Sequence, residues 1–217
     1  MTAVPAEGPT VSRGAEAVLR KVDWWGFPAL LKERDSKSYR PKALDDRLRR
    51  ERTRNEARLL VDARRLGVRT PILYDIDLAR HRLILEELPG PTLRQLLEDP
   101  ALPHETLLGA VRAFGTALGR LHGGGVSHGD LTSSNVIYPE GPTGAPAFLD
   151  LSMGSRSPGL EELGIDLHLV EEDLKALHAK AEGLVRVFHQ GYAEANPKGE
   201  KDVRTRARVI RGRVRYA

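Results

Sequence analysis

The sequence predicts an α+β chain of two lobes, a small β-rich N-terminal lobe followed by a reduced, mostly helical C-terminal lobe. Three observations carry that reading. Short apolar runs crowd the first third of the chain around one long helical pattern. Pro89-Gly90-Pro91 is the sharpest break in the sequence. Beyond it the apolar periodicity becomes helical, so strands and helices do not alternate, and a doubly wound sheet fits poorly.

Taken in order, Ala17 to Val22 and Phe27 to Lys32 are apolar runs separated by Trp24-Trp25-Gly26, a strand–turn–strand pattern. Lys42 to Leu66 reads as a helix, because Leu44 and Leu48 share a face, as do Leu59, Leu60, Ala63 and Leu66. Gly67 supplies its C-terminal cap. Two strands follow, Ile72 to Ile76 and Leu83 to Leu88. Residues 1–88 are therefore expected to form the N-lobe and 89–91 a hinge. The C-lobe, 92–198, opens with helices at Thr92 to Glu98 and Glu105 to His122, the second ended by Gly123-Gly124-Gly125. Val126 to Asn135 is a polar loop, and Val136 to Tyr138 and Ala147 to Leu149 are short strands. From Leu160 the chain is mostly helical up to a basic tail, 199–217.

Composition bounds the chemistry. With 217 residues, 40% hydrophobic and 29% charged, the chain has room for two small lobes around a cleft. It contains no cysteine, which excludes disulfides, thiol catalysis and Cys-based zinc sites. No apolar run approaches the roughly 18 residues of a membrane span. Residues Met1 to Thr10 lack a signal-peptide pattern, so a cytoplasmic setting without membrane attachment is expected. The net charge of +4 is uneven: Lys198 to Ala217 holds eight Lys/Arg against two acids, and Lys32 to Arg54 holds ten against five. Each segment reads either as a contact for an anionic partner or as a solvated face.

The strongest chemical signal is His128-Gly129-Asp130-Leu131-Thr132-Ser133-Ser134-Asn135, a loop between a helix and a hairpin. Asp130 and Asn135, five residues apart, can face one cleft. There a carboxylate can orient or deprotonate an attacking hydroxyl while the Asn oxygen binds Mg²⁺. Ala147-Phe148-Leu149 then delivers Asp150 from the end of an apolar strand, where a carboxylate needs an ionic partner such as Mg²⁺ bridging ATP phosphates. A second signal is Ala29-Leu30-Leu31-Lys32, an apolar strand ending in Lys, with Glu56 on the helix downstream. That is the ion pair that positions nucleotide phosphates in kinases. Thr53-Arg54-Asn55-Glu56 also matches a capping box, and Arg34 and Lys37 are nearby cations that could compete for Glu56. Asp166 reads either as a support hydrogen-bonded to the loop or as an acid favoured by its helix dipole. His122, His168, His178 and His189 show no metal-ligand spacing, and Trp24 and Trp25 suit packing or a partner contact. In the tail, Arg204, Arg208, Arg211, Arg213 and Arg215 fall on an alternating, extended pattern suited to nucleic-acid phosphates.

These motifs carry a resemblance. Lys32-Glu33-Arg34, Lys37-Ser38-Tyr39-Arg40-Pro41, Leu44-Asp45, Arg52-Thr53 with Glu56-Ala57, the His128-Gly129-Asp130 loop with Asn135, and Arg211-Gly212-Arg213 together resemble the atypical kinase subunit of the KEOPS complex, of archaeal type. The resemblance spans about Gly14 to Arg215. It implies a bilobal protein-kinase-like fold and an ATP- and Mg²⁺-dependent serine/threonine kinase or ATPase. Such a subunit works beside a threonylcarbamoyl-transferase subunit and the other KEOPS subunits, modifying an adenosine of certain tRNAs. Asp130 and Lys32 would be catalytic, and Asn135 and Asp150 would hold the metal. Gly14, Ala15, Lys32, Glu56, Glu86, Leu88, Asn135 and Asp150 would form the nucleotide site, with Ser12 to Ala17 as a reduced phosphate loop. Small-molecule kinases of the aminoglycoside or choline type share the His-Gly-Asp loop but lack the Arg-Gly-Arg element. A non-catalytic scaffold for RNA or protein would have no use for two Mg²⁺ ligands.

Overall fold

The computed structural model describes residues 8–14, 16–177 and 181–214. Ala15, His178 and Arg215, each singled out in the sequence, lie outside the described residues.

The N-terminal part is a five-stranded antiparallel sheet in the order β1-β2-β3-β5-β4. Its strands are β1 (Thr10–Arg13), β2 (Ala17–Trp24), β3 (Phe27–Arg34), β4 (Leu73–Asp77) and β5 (Arg82–Glu86). The register sets Lys32 opposite Leu19 on one side and Leu83 on the other, so β3 is central. Sequence periodicity did not reveal β1, a four-residue edge strand of exposed side chains with no alternation to detect. The long helix α1 (Lys42–Arg65) is continuous across Thr53. Thr53 therefore sits mid-helix, with its hydroxyl donating to Arg49 O at 2.8 Å, and the capping-box reading of Thr53–Glu56 falls.

After Pro89-Gly90-Pro91 come α2 (Leu93–Glu98), capped by a reciprocal Thr92–Gln95 box, and α3 (His104–Gly123). A 3-10 turn at Ser133–Asn135 leads into the hairpin β6 (Val136–Ile137) and β7 (Ala147–Phe148). Helices α4 (Leu160–Leu177), α5 (Ala181–Ala195) and α6 (Glu200–Val214) complete the chain. One apolar core runs through both parts: Leu59, Leu60, Leu83 and Leu85 share it with Phe114, Leu118, Phe148, Leu151 and Phe188. The sheet is thereby anchored to the helical part through α1.

The basic C-terminal segment departs from expectation. It is a helix packed on α4, not an extended tail. Val203, Ala207 and Ile210 are buried at helical spacing, and that stripe overrides the alternation of the arginines. Gly164 makes the approach possible, since a Cβ there would lie 2.6 Å from Arg206 Cγ. Arg206 and Arg213 each reach Glu161 at 3.0 Å, and Arg211 contacts the buried Glu171.

Candidate nucleotide site

A cavity of about 510 Å³ opens between the sheet and the catalytic-type loop. Leu19, Leu30, Leu85, Leu88, Ile137 and Leu149 supply apolar walls, and Lys32, Glu56, Asp130, Asn135 and Asp150 converge at one end. An apolar slot with a few converging polar groups is the usual form of a small-molecule site. Gly14 and Glu86 also border it, so of the eight residues expected around a nucleotide, the seven described ones line one space.

Strand β3 carries Lys32 inward, buried, with Nζ 2.7 Å from Glu56 Oε1 and 2.9 Å from Asp150 Oδ1. Glu56 is fully buried on α1, and its other oxygen takes Arg34 Nη2 at 2.5 Å. Arg34 lies two residues beyond Lys32, hence on the same face of the strand. The sequence showed Arg34 as a rival for Glu56; the structure makes both cations partners of the same carboxylate. Arg34 also lies 3.9 Å from Glu16, and Glu16 contacts Arg52, so the turn after β1 is tied to α1 by charge. That turn's Glu16, and Ser12 within β1, both line the cavity.

Asp150 stands two residues past β7 with φ +55°, a left-handed conformation uncommon outside glycine. Burial works to raise its pKa, but the Lys32 ammonium and hydrogen bonds from Lys32 and Ser152 outweigh it and hold the carboxyl down at about 2. The charge that faces Oδ1 is the Lys32 ammonium, 2.9 Å away. Asn135 Nδ2 donates to Asp130 O at 2.8 Å, an assignment that turns Asn135 Oδ1 away from Asp130. The Asp150 carboxylate and the Asn135 side-chain amide, both bordering the cavity, form an oxygen donor set that fits Mg²⁺. That ion takes few protein ligands and completes its shell with phosphate and water.

The loop itself is held from behind. Asp166, fully buried on α4, accepts from His128 N at 2.7 Å, Gly129 N at 2.8 Å and His122 Nε2 at 3.1 Å. It lies beyond the first turn of α4, so its role is the support of the loop and not the helix dipole. Burial opposes its charge, while the His122 hydrogen bond, His128 and the amides keep its pKa below the usual carboxylate range. His128 is buried and its pKa is lowered chiefly by that burial. Its neutral ring fits the contacts: Nε2 donates to Leu149 O at 2.9 Å, and Nδ1 faces Asp130 N at 3.4 Å. One imidazole thus ties the Asp130 loop to the stretch between β7 and Asp150. Gly129 has φ +86°, and a Cβ there would lie 2.2 Å from Met153 O. No larger residue fits beside Asp130 without moving the segment after Asp150.

The α6 arginines are elsewhere. Arg204 pairs with Glu200 at 2.9 Å, Arg211 with Glu171 and with Glu172 at 3.6 Å, and Arg213 with Glu161, while Arg208 is exposed. None of them borders the cavity.

Sheet, helical part and cleft define the class: the chain has a protein-kinase-like fold. The Rio2 kinase of Chaetomium thermophilum, solved as an ADP/Mg²⁺-phosphoaspartate complex, superposes with a TM-score of 0.63 at 15% identity, covering 98% of this chain and 72% of that one. The KEOPS complex subunit Bud32 of Pyrococcus abyssi is 34% identical over 215 residues, 95% of each chain. This chain belongs to the Bud32 family of KEOPS subunits. It is also 36% identical over 208 residues to a "probable bifunctional tRNA threonylcarbamoyladenosine biosynthesis protein" of Methanothermobacter thermautotrophicus. A protein of the same description from Halobacterium salinarum is 38% identical over 215 residues. The chain spans only 36% and 37% of the length of those bifunctional relatives. No protein-family model matches it.

Proposed function

We propose that this chain is an ATP- and Mg²⁺-dependent atypical kinase or ATPase. Its setting is that of the kinase subunit of a KEOPS complex, cytoplasmic, acting beside a threonylcarbamoyl-transferase subunit in the N6-threonylcarbamoyladenosine modification of tRNA. The single observation that carries the catalytic reading is Lys32, buried and paired at once with Glu56 and Asp150 at the polar end of an apolar slot. The setting rests on family membership.

Roles follow from positions. The walls around Leu30, Leu85, Leu88 and Ile137 receive the adenine, with the Glu86–Leu88 stretch at its edge. Gly14, with Ser12 and Glu16 beside it, covers the phosphates. Lys32, kept in place by Glu56, meets phosphate oxygens. Asp150 and Asn135 hold the metal, which supplies positive charge to the phosphoryl group in transit. Asp130, exposed on the cavity wall, orients the acceptor oxygen and takes its proton as the new P–O bond forms; ADP departs with the bond to its β-phosphate oxygen broken. The acceptor is water in the ATPase reaction and a Ser or Thr hydroxyl in the kinase reaction.

The test is ATP turnover by the chain with Mg²⁺ or EDTA, alone and with tRNA and the transferase subunit. Mg²⁺-dependent ADP release that rises with those partners supports the proposal. Nucleotide binding without turnover under every condition would return the chain to a scaffold.

A further inference from the structure

The arginines expected to meet nucleic acid on α6 are largely engaged by Glu161, Glu171, Glu172 and Glu200. The other basic segment is different. Along α1, Arg47, Arg50, Arg54, Arg58 and Arg65 are exposed. At 100° per residue they fall within about 80° of arc and span ~27 Å of helix. Among the described residues, no carboxylate forms an ion pair with Arg50, Arg54 or Arg58. The acids bordering the stripe are already occupied: Glu51 by Arg47 at 3.8 Å, and Asp62 by Arg65 at 3.6 Å and by Arg156. Two shallow hollows lie along the stripe. One, of about 300 Å³, is bounded by Arg54, Arg58, Arg65 and Arg156. The other, of about 340 Å³, is bounded by Arg52, Arg54, Arg58 and Ser152.

We infer that this face of α1 is a track for the phosphate backbone of an RNA strand. The inference rests on the tRNA part of the proposed function and locates its contact surface. Three features favour RNA phosphates over an acidic protein segment. The free cations are all Arg, whose planar fork grips phosphate oxygens in pairs. They repeat along a straight line at each turn of the helix, as a regular polyanion requires. Apolar side chains are confined to one of the two hollows, where Ala57, Val61 and Ile76 sit among Arg54, Arg58, Arg65 and Arg156, and they are too few for the hydrophobic centre that protein interfaces are built on. Asn55, on the same helix, donates to Ser152 O at 3.2 Å and Gly154 O at 2.8 Å. The track therefore runs beside the segment that follows Asp150, at the rim of the nucleotide cleft.

The experiment uses the full chain and a fluorescein-labelled, unmodified tRNA transcript, with anisotropy read at several salt concentrations. Arg50→Gln/Arg54→Gln/Arg58→Gln is the main variant, and the single charge reversal Arg54→Glu is the second. All three side chains are exposed and lie outside the nucleotide cavity, so ATP binding serves as the control for folding. The expected result for the triple variant is about 10- to 100-fold weaker binding, with the salt slope reduced by two to three units and ATP affinity unchanged. Wild-type RNA affinity and slope in both variants would overturn the track and leave the tRNA reading standing. Failure of the wild-type chain to bind the transcript at low salt would overturn both. Binding of a polyglutamate peptide lost in the triple variant while RNA binding persists would reassign the face to an acidic protein partner.

Discussion

Arg34 and Glu56 form a buried ion pair, guanidinium Nη2 2.5 Å from Oε2, on the carboxylate oxygen that Lys32 leaves free. Glu56 therefore has two cationic partners, and Lys32 two anionic ones, in a cluster of Lys32, Arg34, Glu56 and Asp150 whose formal charges cancel. The arrangement has a use beyond stability. In the proposed reaction, a phosphate drawing on Lys32 would leave Glu56 with Arg34 as a full partner.

Removing Arg34 leaves Glu56 buried with only Lys32. Breaking one side of a buried pair costs about 3–5 kcal/mol, far more than a surface bridge. Arg34→Met is expected to lower the urea midpoint accordingly. Arg34→Lys, which keeps charge but not the fork that also approaches Glu16, should lose less. A midpoint for Arg34→Met equal to wild type would show that the pair does not hold α1 to the sheet.

Lys32 and Glu56 touch at 2.7 Å, so their effects on turnover should not add. In a double-mutant cycle of Lys32→Ala and Glu56→Gln, the second change is expected to do little once the first is made, with a coupling of ~1–3 kcal/mol. Independent effects, multiplying in kcat/KM, would mean that Glu56 serves α1 through Arg34 alone.

Asp150→Ala should reduce Mg²⁺-dependent ATP turnover by about 10² or more while the protein stays folded. The side chain borders the cavity and fills no core. A variant within tenfold of wild type in a coupled ADP-release assay would remove Asp150 from the metal site.

Much of this site was legible because its residues sit at short, fixed offsets. Asp130 and Asn135 share one loop, and Asp150 follows the next hairpin, so local spacing alone brought them together. Lys32 and Glu56 were legible as a strand end and a helix position. What spacing could not give was the third partner: Arg34 looked like a competitor because a sequence does not show that a carboxylate has two oxygens facing two neighbours. The C-terminal segment was misread for a related reason. Its arginines alternate, and alternation suggests an extended chain. The buried Val203, Ala207 and Ile210 follow the helical period, and burial of an apolar stripe decides between the two. The edge strand β1, all exposed, carries no pattern to read.

Asp166 holds the amides of His128 and Gly129. Asp166→Ala strands two buried donors and the His122 Nε2 proton. The expected loss is about 3 kcal/mol or more of stability, at ~1–3 kcal/mol for each unsatisfied group. Asp166→Asn keeps one acceptor oxygen but turns an amide donor toward one of the amides, so turnover should fall even where the variant remains folded. Denaturant midpoints paired with kcat separate the two effects. Full kcat in folded Asp166→Asn would make the residue a core bond without influence on Asp130.

The last prediction concerns His189, on α5. Its Nε2 donates to Glu171 Oε1 at 2.8 Å in the neutral ring, while Nδ1 is buried and has no hydrogen-bond partner. Protonation would place a second N–H where no acceptor stands. Burial pushes the His189 pKa down, Arg204 and Arg208 on α6 and Lys175 on α4 add to the effect, Glu200 opposes it, and the value falls to about 4. The unfolded chain takes up this proton near pH 6.5. Between those values the unfolded state binds more protons than the folded one, so stability rises with pH across that window and is lost as pH falls through it. The interval corresponds to ~3–4 kcal/mol, at about 1.36 kcal/mol per pH unit. His128 and His168, whose pKa values are also lowered mainly by burial, act in the same direction. The carboxylates with lowered pKa values, Glu16, Asp46, Asp77, Asp150 and Asp166, lose their contribution below this window, as pH drops beneath their ordinary range near 4. His189→Gln, which can still donate to Glu171 and does not titrate, is therefore expected to flatten the decline in urea midpoint between pH 6.5 and 4.5 without removing it. Equal slopes for wild type and variant across that window would mean that His189 becomes protonated in the folded protein near its ordinary pH. The Glu171 carboxylate, and not burial, would then govern the ring.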